Sequence, residues 1–161
     1  MQEILVSKLF EYVRDNNPDL LFELEAEDKL RVWLYEKADC VQPLLEQMKM
    51  NGQAEYIIIE SCLTEATTDL RPSRYNYILN LLEQEFEANY ISLTETGLLQ
   101  HEIINMIGYC ESVFDDLKFS EENEDNKFIQ YAIAGMISEY LQSNSEQENV
   151  SNELQQSAKT Q

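Results

Sequence analysis

Apolar side chains return every third or fourth residue in successive stretches of this chain, and no two stretches alternate as a pair of strands would. Such spacing lines them up on one face of a helix, which confines the chain to an all-α architecture. From Glu3 to Arg14 the stripe is Leu5, Val6, Leu9, Phe10 and Val13, and Asn16-Asn17-Pro18 ends it. A second stripe, Leu30, Leu34, Val41, Leu45 and Met48, runs to Asn51-Gly52, a left-handed cap, with Pro43 predicting a kink or a break into two helices.

Gln53 to Thr68 is apolar on several sides through Tyr56-Ile57-Ile58-Ile59, Cys62, Leu63 and Ala66, and its β-branched residues make a strand the rival reading. Its length, about four helical turns without a turn signal, and the lack of a pairing partner favour a central helix. Thr67 to Pro72 breaks the chain. Ser73 opens a fourth helix with Tyr75, Ile78, Leu79, Leu82 and Phe86 on one face. Ser92-Leu93-Thr94-Glu95 has capping-box spacing and predicts the start of a fifth, carrying Leu98, Leu99, Ile103, Met106, Ile107 and Cys110 toward Val113-Phe114. Asp115 to Asp125 reads as an acidic connection. Phe128, Ile129, Ala132, Ile133, Met136, Ile137, Tyr140 and Leu141 then stripe a sixth helix.

The expectation is a compact bundle of about six helices, with Gln53 to Thr68 or the fifth helix near its centre, forming one acidic helical domain over residues 1–142. Residues 143–161 turn to Ser, Asn, Gln and Glu with no aromatic residue, the composition of a disordered polar tail. A terminal helix there would need a neighbouring chain to stabilise it.

Charge narrows the function. The chain carries 31 acidic residues against 11 basic ones, a formal charge of -20, and only three of the acids lie beyond Ser143. Binding phosphates requires clustered cations that displace counterions, so direct contact with nucleic acid or an anionic membrane is disfavoured. Apolar residues still make up 43% of the chain, with nine tyrosines and six phenylalanines, too many for disorder. Cys40, Cys62 and Cys110 are odd in number and set among apolar neighbours, as suits reduced, buried thiols. The start Met1-Gln2-Glu3-Ile4 lacks the basic and apolar pattern of a signal peptide, and the expected location is cytoplasmic.

No familiar chemistry assembles. His101 is the single histidine, which excludes any two-histidine metal site. A Cys-His pair would need His101 beside one of the three cysteines, with no cationic neighbourhood to lower a thiol pKa. The cluster Asp115, Asp116, Glu121, Glu122, Glu124 and Asp125 lacks the alternation and central glycine of a calcium loop. Four glycines, none in a glycine-rich loop, leave no nucleotide-binding motif. No catalytic residue, metal ligand or cofactor is assigned. Candidate contact residues are Arg71 and Arg74, which flank Pro72 and could hold an anion or pair with Asp69, and Tyr75 and Tyr77 beside them. Trp33 and Tyr35 lie out of phase with Leu30 and Leu34 and are candidate partner anchors.

Several of these residues also form a pattern. Leu9-x-x-Tyr12-x-Arg14-x-x-x-Pro18-x-Leu20, Lys37-Ala38-Asp39 with Gly52, Ser73-Arg74-Tyr75 leading through Leu79 and Leu82 to Glu85-Phe86, Val113-Phe114, and Gly135-x-Ile137-x-x-Tyr140-Leu141 together cover most of residues 5–142. Over that span the chain resembles a Bacteroidetes family of uncharacterised helical proteins, domain of unknown function 1896. The family often has Pro-Glu-Tyr ahead of its last helix, where this chain reads Asp125-Asn126-Lys127. The resemblance implies an all-α fold and a bacterial cytosolic setting, commonly near mobile genetic elements, and implies no activity.

The leading expectation is therefore a non-enzymatic interaction module that binds another protein, a basic one or a second copy of itself. An acidic mimic of nucleic acid that inhibits a DNA-binding protein is the alternative. An enzyme of unrecognised type comes third.

Overall fold

The computed structural model describes residues 1–159, and among them it is helical throughout, with nine α-helices, one 3-10 turn and no strand. The helices are α1 (Gln2–Asn16), α2 (Pro18–Ala26), α3 (Leu30–Cys40), α4 (Gln42–Met50), α5 (Glu55–Ala66), α6 (Arg74–Glu85), α7 (Glu87–Thr96), α8 (Leu99–Asp116) and α9 (Lys127–Lys159). The 3-10 turn, Thr68–Leu70, lies between α5 and α6.

Nine helices replace the expected six, for three local reasons. Pro18 both ends α1 and starts α2, because its fixed φ suits the first helical position and its missing N–H is not needed there. Pro43 divides the second stripe at Val41 into α3 and α4, the break its ring predicts. Ser92-Leu93-Thr94-Glu95 is not a helix start: it lies inside α7, where the Ser92 carbonyl accepts from Thr96 Oγ1 at 3.0 Å. The boundary comes five residues later at Gly97, whose φ of 73° ends α7, and α8 begins without a side-chain cap.

Four helices end in one motif. After α2, α4, α7 and α8 the chain turns left-handed at Asp28, Gly52, Gly97 and Lys118. The next amide reaches back five residues: Lys29 to Leu24, Gln53 to Met48, Leu98 to Leu93 and Phe119 to Phe114, at 2.8–3.1 Å. These bonds satisfy carbonyls that a helix end leaves open.

The chain divides into two compact units, Met1–Tyr77 and Ile78–Gln161. In the first, α1, α3 and α5 pack on one another and bury Leu5, Leu9, Leu34, Ala38, Ile58, Ile59, Cys62 and Ala66, with Val41 and Leu45 from the α3–α4 segment. α5 is a core helix of this unit through Ile58, Ile59, Cys62 and Ala66, while Tyr56, Glu60 and Thr64 on its other side are exposed. In the second, α8 packs along α9 and buries Ile103, Met106, Cys110 and Phe114 with Ile129, Ile133 and Ile137. Each buried Leu, Ile, Val, Met or Phe side chain among them stabilises its unit by about 1.5–3 kcal/mol.

Residues 143–159, expected as a polar tail, continue α9 as helix. From Ser145 to Ala158 every side chain is exposed, so this half of the helix buries nothing within the chain. Thr160 and Gln161 lie outside the described residues. None of the described helices is long and apolar enough to cross a membrane.

Candidate interaction surfaces

The residues singled out in the first unit fall into two linked groups. One forms where the Asn16-Asn17-Pro18 corner meets the start of α6. Ser73 caps α6 by accepting from the Asn76 amide at 3.0 Å, and its hydroxyl donates to the Asn16 carbonyl. Asn76 Nδ2 donates to Asn16 Oδ1 at 3.0 Å, and Asn17 Nδ2 reaches the Leu70 carbonyl at 3.5 Å. Amide and hydroxyl groups thus join segments that local sequence leaves unconnected.

Arg71, Arg74, Tyr75 and Tyr77 surround this corner, all half-buried. Arg71 Nη2 donates to the Thr64 carbonyl at 3.0 Å, while its Nε is buried without a hydrogen-bond acceptor. The expected partner of the arginines, Asp69, instead binds Lys37 Nζ at 2.6 Å. Arg74 lies near Asp19. Burial holds the Asp19 carboxyl above its ordinary value; backbone amides at the start of α2, and Arg74, oppose that rise without cancelling it. The same burial, helped by Asp19, raises the Tyr75 phenol.

The second group is on α3. Trp33 and Tyr35 are half-buried, and both are engaged within the chain. Lys37 Nζ stands 5.6 Å from the Trp33 ring centre, and Arg31 stands 5.9 Å from that of Tyr35. The Tyr35 hydroxyl donates to Glu3 at 3.1 Å. Through Lys37 and Asp69, Trp33 is linked to the segment that leads into α6. These aromatics stiffen the first unit more than they offer free rings.

The freely exposed rings stand elsewhere. Phe22 and Tyr56 stand on different helices of the first unit, whereas Phe128 and Tyr131 are both 69% exposed and lie three residues apart on α9. Phe128, which the sequence places on the core stripe, is corrected by its neighbours. Ile129, Ile133 and Ile137 are buried at four-residue spacing, and a residue adjacent to Ile129 is turned by about 100° from it. The outward face of α9 therefore reads Phe128, Tyr131, Gly135, Glu139, Gln142, Glu146, all exposed. Tyr109 of α8 borders it, donating to Glu139 Oε2 at 3.3 Å, and stacks edge-on against Tyr140 with ring centres 5.6 Å apart. Tyr140 in turn donates to Glu102. Asn126 Oδ1 accepts from the Phe128 amide at 2.8 Å and fixes where α9 begins.

Nucleophiles and metal ligands are scattered. Cys62 and Cys110 are buried, and burial pushes the Cys110 thiol up to about 11, so it stays protonated at neutral pH. Cys40, expected among the buried thiols, is exposed because it closes α3 on the helix's outer side. His101 is exposed, its Nε2 lying 3.3 Å from Asn105 Nδ2. Among the described residues no three His, Cys, Asp or Glu side chains gather as a metal would need. A depression lined by Asn144, Gln147, Glu148, Ser151 and Asn152 lies along a single exposed stretch of α9 and encloses nothing.

No protein-family model matches the chain, and neither a curated protein nor a solved structure does.

Proposed function

We propose that this chain is a non-enzymatic interaction module that binds another protein through an acidic, aromatic surface. The observation that carries the reading is the outward face of α9, where two aromatic rings stand in solvent beside carboxylates. Exposed aromatic side chains give a partner large contact area at small entropic cost. A cytoplasmic, bacterial setting, and membership of the family it resembles, belong to the same proposal.

A second reading, mimicry of nucleic acid, draws on how charge is distributed. The unit Ile78–Gln161 holds sixteen acidic residues and three lysines, with no arginine, and so carries -13 of the chain's -20. A basic nucleic-acid site would meet that field as it meets a phosphate backbone.

The test is capture of partners by the tagged chain from native lysate, at low and high salt and with competing DNA, followed by mass spectrometry. A reproducible partner that resists DNA supports the module. One lost to both salt and DNA supports the mimic, and an empty bait rejects both.

A further inference from the structure

Gly135 is the starting point. It lies inside α9, two turns from its start, exposed, and a Cβ built on it meets no atom within 4 Å. Its φ is not positive, so neither backbone conformation nor packing inside the chain calls for glycine. A helix-interior glycine costs about 1 kcal/mol relative to alanine. A contact outside the chain would account for it, because a bare backbone lets another chain come close.

The surroundings of Gly135 define such a contact. On its N-terminal side Phe128 and Tyr131 stand exposed, and on its C-terminal side Glu139, Glu146 and Glu153 recur every seven residues along the same exposed face. No Lys or Arg occurs between Lys127 and Lys159. The face thus has an apolar anchor, a notch and a line of negative charge. Beyond Asn144, whose Nδ2 reaches Glu102 at 3.5 Å, α9 runs on with no burial to hold it. A polar helix of that length is marginal in water by itself.

We infer that the outward face of α9 docks a cationic amphipathic helix of a partner protein, with its apolar residues against Phe128 and Tyr131, its backbone close to the Gly135 notch, and Lys or Arg side chains along Glu139, Glu146 and Glu153. This rests on the reading of the chain as an interaction module and names the surface and chemistry of its partner. Charge selects the occupant. A second copy would bring another net charge of -20, and antiparallel pairing of two such faces would set aromatic rings on carboxylates. A cationic helix meets both halves of the face in one register.

The probe is a synthetic amphipathic helical peptide with leucines on one side and lysines and arginines on the other, titrated against the full chain and followed by fluorescence anisotropy. The control peptide replaces the cations with glutamate. Saturable one-to-one binding of the cationic peptide alone is expected. Phe128→Ala with Tyr131→Ala should weaken it at least about tenfold. The triple change of Glu139, Glu146 and Glu153 to Gln should flatten its salt dependence. Both variants alter only exposed side chains, and unchanged helical circular dichroism would confirm that they fold. No saturable binding at low salt overturns the inference. So does binding that the aromatic double variant retains, although the interaction-module reading would then stand on another surface. A dimer of the chain at micromolar concentration, abolished by the aromatic double variant, would assign the face to a second copy and overturn the cationic partner.

Discussion

Asp19 shows what one buried carboxyl does to a chain that is mostly solvated charge. Its folded-state pKa lies above the ordinary 3.8 because burial outweighs the amides and the arginine that favour its ionised form. The folded chain therefore holds this proton at pH values where the unfolded chain has released it. Stability falls as pH rises from 3.8 through the raised value and is level above it. Asp19→Asn removes that slope, so its urea midpoint should exceed the parent's above the window and converge with it below; a gap independent of pH would refute the account. The cysteines offer a second test at this scale. A thiol reagent added to native protein should modify Cys40 quickly, and Cys62 and Cys110 only in denaturant, since both are fully buried. Sequence grouped all three together, because burial depends on which way a helix faces, and the neighbours of Cys40 do not encode that.

At the scale of elements, the stripes were legible and the joints only partly so. Period identifies α1, α8 and α9, length rather than period identifies α5, and Pro43 announces the division between α3 and α4. The short α2 and α7 are not legible as separate helices: the apolar residues of α2 crowd into nine positions without a long stripe, and α7 buries no side chain at all. Helix ends explain more of the miss. Gly52 is visible as a cap, but Asp28 and Lys118 adopt the same left-handed turn without glycine, and nothing local marks them. Two glycines should separate the causes of glycine's presence. Neither Gly97 nor Gly135 leaves a Cβ anything to touch, yet only Gly97 has a positive φ. Gly97→Ala should lower stability by about 1 kcal/mol, and Gly135→Ala should raise it by about as much, as read from thermal or urea midpoints. The candidate surface divides in the same way. Sequence found the aromatics of α3, which are engaged within the chain, and those of α6, which are half-buried, and missed the exposed pair on α9, because Phe128 sits next to a core residue.

For the whole molecule the unequal charge of its two units governs behaviour. Self-repulsion on this scale opposes compactness, so moderate salt should stabilise the chain, with the thermal midpoint rising between about 0.01 M and 0.15 M as the screening length contracts. Removal of residues 145–161 should leave that midpoint unchanged, since the described residues in that segment bury nothing; it should subtract only helical signal from the circular dichroism. A large drop would mean that the segment contributes to the fold. The carboxylates of Glu139, Glu146 and Glu153 carry a further consequence. Seven residues of helix rise about 10 Å, slightly more than the screening length of about 8 Å at physiological ionic strength. In such a medium a ligand meets three nearly independent charges and is selected by the spacing of its own. Diluted to about 0.01 M salt, where fields reach about 30 Å, the three fuse into one line of charge. Ionic strength then decides whether α9 reads pattern or only sign.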